Sequence, residues 1–127
     1  MRFKGRVIAV SLLLVLALGS FSLIHVRRVS EAMLSALEQV RSAVADGDWS
    51  GAEAKAEALH EDWHRRRMWL QLFISHRDTD AVDMTLARLI AALRAEDPVS
   101  VAREIADADT GLHNLPARET PAISNVL

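Results

Sequence analysis

The feature that most constrains this chain is the run from Val7 to Val26, VIAVSLLLVLALGSFSLIHV, which contains no Asp, Glu, Lys or Arg. Twenty helical residues rise about 30 Å, the thickness of a bilayer's hydrocarbon core. A helix packed in a soluble core carries polar residues at every third or fourth position on its outer side. Here the only strongly polar residue is His25, at the edge. The run is therefore expected to enter a lipid bilayer. Arg2, Lys4 and Arg6 precede it, and Ala17-Leu18-Gly19 would suit a signal peptidase. The apolar run continues past that point through Phe21, Leu23 and Ile24, which favours a retained anchor. The charged N-terminal tail favours the cytoplasmic side, leaving the rest of the chain outside the cytoplasmic membrane, although Arg27 and Arg28 pull the other way.

Charge divides the chain in the same place. Of 15 Lys+Arg, five fall in the first 28 positions, which hold no acid. The remainder carries ten basic against seventeen acidic residues, a balance of −7. Such a domain repels nucleic acid and anionic surfaces at long range, so no nucleic-acid partner is expected. The absence of cysteine excludes disulfides, thiolate metal sites and a Cys nucleophile.

Beyond the anchor the spacing predicts four helices and no strand, an all-α fold in which an N-terminal transmembrane helix leads into a small antiparallel bundle of two helical hairpins. The boundaries expected are 1–28 for the anchor, 29–116 for the bundle and 117–127 for an irregular tail in which Ile123, Val126 and Leu127 could dock. The first helix continues from the anchor, with Met33, Leu34, Leu37, Val40 and Val44 on one face. It stops at Asp46-Gly47, where Gly can adopt the left-handed cap, and Asp48 caps the next helix. That second helix is expected over Trp49–His76, with a stripe of Ala52, Ala56, Leu59, Trp63, Leu70 and Phe73. Trp63 and Trp69 are about 240° apart around the axis, so each is expected to bury against a different neighbour. Asp80 and Asp83 have the spacing of a capping-box variant for a third helix carrying Val82, Leu86, Leu89, Ile90 and Leu93. Asp97-Pro98 starts a fourth, with Val101, Ala102, Ile105, Ala108 and Leu112 inward and an end near Leu115-Pro116. The segments beginning at Ala45 and Ala95 resemble each other as capped turns followed by small residues, but a spacing near 50 is too long for a tetratricopeptide repeat.

One catalytic motif is present. His60-Glu61-Asp62-Trp63-His64 spells H-E-x-x-H, which on a helix aims two imidazoles the same way with a carboxylate between them, as a zinc hydrolase requires. The sequence supplies no marked third ligand. Arg67 and Leu70 stand where an extended motif has Gly and His, and nothing singles out Glu96 or Glu104. Arg65, Arg66 and Arg67 follow directly, and the histidines share a stripe with Glu53, Glu57, Arg67 and Gln71 that reads as a solvated face. The expectation is thus no enzyme, no cofactor, and no catalytic or metal residue. The place to look for a partner or small ligand is the corner between the second and third helices, formed by Trp69, Phe73, His76 and Asp80, where two aromatics, an imidazole and a carboxylate converge.

Trp69, Leu72-Phe73-Ile74, His76, Asp80, Leu86-Ala87-Arg88-Leu89, Asp97, Glu104, Leu115-Pro116 and the closing Asn125-Val126-Leu127 together resemble the domain-of-unknown-function family 4363. The resemblance implies a short bacterial protein with one N-terminal membrane helix and a helical remainder. It implies no activity, and His60 and His64 lie outside its pattern. The function expected is that of an accessory or scaffolding protein contacting the lipid bilayer through Val7–Val26 and a membrane-protein partner.

Overall fold

The computed structural model describes the backbone of residues 2–126 and side chains as far as Pro116. Four helices make up nearly all of it: α1 (Arg2–Ala45), α2 (Trp49–Leu70), α3 (His76–Arg94) and α4 (Pro98–Val126). Each helix packs closely on its neighbour in sequence, and α4 closes on α1; the diagonal pairs α1–α3 and α2–α4 stand farther apart across the core among the described residues. Tight turns between successive helices make this an up-down-up-down bundle.

α1 is a single unbroken helix of 44 residues, about 66 Å long. Its two halves meet different surroundings. From Phe3 to Ile24 the large apolar side chains stand exposed, except Leu23, which is half-buried. Only 6% of the most apolar eighteen-residue stretch is buried, which separates it from the core helix of a soluble protein. From Ser22 onward one face turns inward, and Val26, Val29, Met33, Leu37 and Val40 are buried at three- and four-residue steps. The bundle therefore reaches back to Ser22, inside the run that the sequence reads as anchor. Ser22 sits there without an orphaned hydroxyl, because its Oγ donates to the Gly19 carbonyl at 3.0 Å.

The core is the expected one along most of its length. Ala52, Ala56, Leu59, Trp63 and Leu70 of α2 meet Val82, Leu86, Leu89 and Leu93 of α3 and Val101, Ile105, Ala108, Leu112 and Leu115 of α4 in one cluster. Ala102 faces solvent instead. The inward position nearby is taken by Glu104, whose carboxylate accepts from Arg88 Nε at 3.2 Å across the α3–α4 contact. Trp63 is fully buried, and its Nε1–H finds no acceptor among the described residues.

The turns after α1 and α3 share one construction. Asp48 N donates to Ala43 O and Gly47 N to Val44 O, while Asp97 N donates to Ala92 O and Glu96 N to Leu93 O. Both are Schellman motifs, with the left-handed residue Gly47 (φ 75°) in one and Glu96 (φ 50°) in the other. An Asp cap follows each: Asp48 Oδ1 accepts from Gly51 N at 3.0 Å, and Asp97 Oδ1 from Val99 N at 3.2 Å. The Asp48 carboxylate lies over Gly51 so closely that a Cβ there would meet Oδ2 at 2.1 Å.

Three boundaries differ from the sequence expectation. α2 ends at Leu70, six residues before His76. α3 is capped by Ser75, not by Asp80: Ser75 is extended (φ −62°, ψ 148°), its Oγ accepts from Asp78 N at 3.3 Å, and Arg77-Asp78-Thr79 form the first turn. Ser is as good a cap as Asp and stands next to the turn, so the earlier start prevails. α4 does not stop at Leu115-Pro116 but runs to Val126. Proline at 116 removes the N–H that would bond to the Leu112 carbonyl. That carbonyl instead accepts from the buried Ser30 hydroxyl of α1 at 2.6 Å, so the helix continues without a stranded acceptor. The side chains of Ile123, Val126 and Leu127, expected to dock, lie outside those described.

Candidate functional site

The stripe that reads as a solvated face is a polar seam joining α2 to α3. Its residues recur at alternating four- and three-residue steps: Glu53, Glu57, His60, His64, Arg67 and Gln71. Such a row runs straight along a helix beside an antiparallel neighbour. From one end to the other it finds partners in reverse order on α3. Glu53 and Glu57 accept from Arg94 Nε and Nη2 at 2.7 and 2.8 Å. These two carboxylates raise the Arg94 pKa above its already high ordinary value, so this charge is fixed. At the far end Gln71 Nε2 donates to Thr79 Oγ1 at 3.3 Å.

The middle of the seam holds the histidines. Asp83 Oδ1 lies 2.9 Å from His60 Nε2 and 3.0 Å from His64 Nε2, so one carboxylate oxygen bridges two imidazoles one turn apart. The rings are close, with centroids 4.6 Å apart and planes inclined at 53°. One candidate ligand atom from each of the three residues falls within 4.8 Å of the others. The other oxygen of Asp83 lies 3.7 Å from Arg67 Nη1, and the same nitrogen is 3.7 Å from Asp80 Oδ1. Arg65 and Arg66 turn aside to Asp62, at 3.5 and 3.1 Å. A shallow groove lined by Glu57, His60, Glu61, Ala87, Ile90 and Arg94 opens beside His60.

The carboxylate that stands with the two histidines is thus Asp83, an α3 residue that the sequence suggested only as part of a cap. Glu104 pairs with Arg88, and Glu96 lies in the α3–α4 turn. No local signal could have named Asp83. The signal available was the unbroken four-three spacing of a polar stripe, which marks a seam between helices.

The expected corner comes apart. Trp69 is 67% exposed, against the expectation that it is core, because α2 ends one residue later and no neighbour covers that side. Phe73 is half-buried against the core, while His76 and Asp80 are exposed. Asp80 pairs with Arg67 and not with His76. What the corner does present is a cluster of exposed apolar side chains: Met68 (74%), Trp69 (67%) and Leu72 (68%).

Fold and site together define an all-helical bundle built onto one long apolar N-terminal helix, with a polar α2–α3 seam. The family model for the Domain of unknown function (DUF4363) matches residues 20–126, and the chain belongs to that family. The match begins where α1 turns its first residue, Ser22, into the bundle. No curated protein and no solved structure matches the chain.

Proposed function

We propose that this chain is a single-pass membrane protein of non-enzymatic, accessory character, which holds a helical bundle against the bilayer surface for a membrane-protein partner. The observation that carries the reading is the continuity of α1. Its exposed apolar half and its buried bundle half are one continuous helix with no linker between them, which would hold the bundle close to the bilayer. Trp49 to Leu70 rises about 32 Å, which along the antiparallel α1 leads from Ala45 back to about Ile24. The α2–α3 corner therefore stands level with the end of the exposed apolar stretch. Met68, Trp69 and Leu72 then meet the interface of the same bilayer, where tryptophan is favoured. Arg27, Arg28 and Arg77, all exposed, lie near this level, where arginine side chains can reach lipid phosphates. The positive N-terminal tail supports a cytoplasmic N-terminus and an extracytoplasmic bundle.

The test is the full chain expressed in a bacterial host. Intact mass should correspond to a product retaining Val7–Val26, and the protein should stay in the membrane pellet after alkaline carbonate washing. A product beginning near Ser20, or release into the wash, contradicts the anchor. Mild detergent extraction should bring down a membrane protein, and that capture should weaken for Trp69→Ala with folding unchanged.

A further inference from the structure

We propose that His60, His64 and Asp83 form a site for a divalent transition metal, zinc being the ion whose preferred ligands they match, and that the bound ion clamps α2 to α3. Two imidazole nitrogens and one carboxylate oxygen are a common protein contribution to a four-coordinate zinc ion, with water completing the shell. Histidines four apart on a helix present their Nε2 atoms on one side. Here both converge on the same Asp83 oxygen, within 3.0 Å, from across a helix–helix contact. A carboxylate between two imidazoles can be held by their N–H groups alone. An ion inserted among the three would take the place of those hydrogen bonds, each neutral ring then carrying its proton on Nδ1, with zinc–ligand distances near 2.0–2.1 Å.

The arginines that argue against a cation in the sequence are accounted for in space. Arg65 and Arg66 are held by Asp62, and Arg67 is shared between Asp80 and the outer oxygen of Asp83. Arg67 thus pairs electrostatically with the outer oxygen of Asp83 at 3.7 Å and leaves the inner oxygen to the imidazoles. His64 is exposed and His60 half-buried beside the open groove, so an ion has a path in. The site does not depend on the membrane reading, since it lies wholly within the α2–α3 pair. It is a bridge between helices and is assigned no hydrolytic step.

The experiment uses the full chain in detergent micelles, without a histidine tag, stripped with chelator and titrated calorimetrically with zinc chloride. One equivalent should bind with a dissociation constant below about 10 μM. Affinity should fall at least about tenfold in each of His60→Ala, His64→Ala and the isosteric Asp83→Asn, and stay unchanged in Glu38→Gln, an exposed acid of α1. Zinc should raise the melting temperature of the parent and not of Asp83→Asn, whose helicity by circular dichroism serves as the folding control. X-ray absorption of the loaded protein should show only nitrogen and oxygen neighbours near 2.0–2.1 Å. Binding weaker than the 10 μM limit, or binding that survives His64→Ala or Asp83→Asn, overturns the proposal.

Discussion

Trp63 and Trp69 stand six positions apart and differ completely in exposure, 0% against 67%. Helical geometry alone places them on different faces. Whether the second face has a neighbour depends on where α2 stops, which is Leu70, five residues before the Ser75 cap of α3. Two measurements follow from this. In urea unfolding of the full chain in micelles, Trp63→Ala should lose about 3–5 kcal/mol, the usual cost of truncating a buried aromatic. Trp69→Ala should stay within about 0.5 kcal/mol. At the cap, Ser75→Ala should cost about 1 kcal/mol. Asp80→Ala, which loses only an exposed pairing with Arg67, should cost less than about 0.5 kcal/mol. The reverse order for the last two would restore Asp80 as the cap. Glu96 offers a gain: it occupies a left-handed conformation that costs a non-glycine residue about 1 kcal/mol. Glu96→Gly should raise stability by up to that amount, while Gly47→Ala should lower it similarly.

Among the elements, the α1–α4 contact is joined by an exchange that can be measured. Ser30 serves a carbonyl freed by Pro116, so Ser30→Ala should cost about 1–3 kcal/mol for a buried acceptor left without a donor. In a Pro116→Ala background the backbone N–H at 116 reclaims that carbonyl, and the same change at Ser30 should cost measurably less. Equal costs in both backgrounds would mean that the hydroxyl acts only by filling space. The start of α4 adds a dependence on pH. Hydrogen bonds from the Ser100 hydroxyl and backbone, and from Val99 N, hold the Asp97 carboxyl below its ordinary value of 3.8. A depressed folded pKa means stability fully present above about pH 4 and lost as pH falls through the lower folded value. Asp97→Asn should remove that part of the acid slope in melting temperature below about pH 4. The helices themselves were legible from spacing, caps and turn residues. The α2–α3 seam was only half legible. The sequence shows a polar stripe, but which α3 residues meet it depends on the antiparallel register fixed by a turn that local propensity placed several residues too late. His60 and His64 were visible as a pair for this reason, and Asp83 was not.

For the molecule as a whole, the long α1 decides where everything else stands. A bundle joined to its anchor by a flexible linker could sample many heights above a membrane. Under the anchor proposal, one joined by an unbroken helix keeps a single height, and the α2–α3 corner lies at the level where exposed apolar surface ends. The sequence made the apolar run plain, but the place where exposed apolar surface gives way to bundle was hidden, because Ser22 and Val26 belong to the apolar run by composition and are buried in the fold. The absence of cysteine allows single-cysteine spin labels to be placed without background. The most direct test is the accessibility of such labels at Leu12, Trp69 and Ser50 to oxygen and to a water-soluble nickel chelate, with the full chain in phospholipid nanodiscs. The account predicts a label at Leu12 in the hydrocarbon, one at Trp69 at the headgroup boundary, and one at Ser50 in water about 30 Å above it. A Trp69 label as open to the nickel chelate as the Ser50 label would contradict the account, as would a Leu12 label in water.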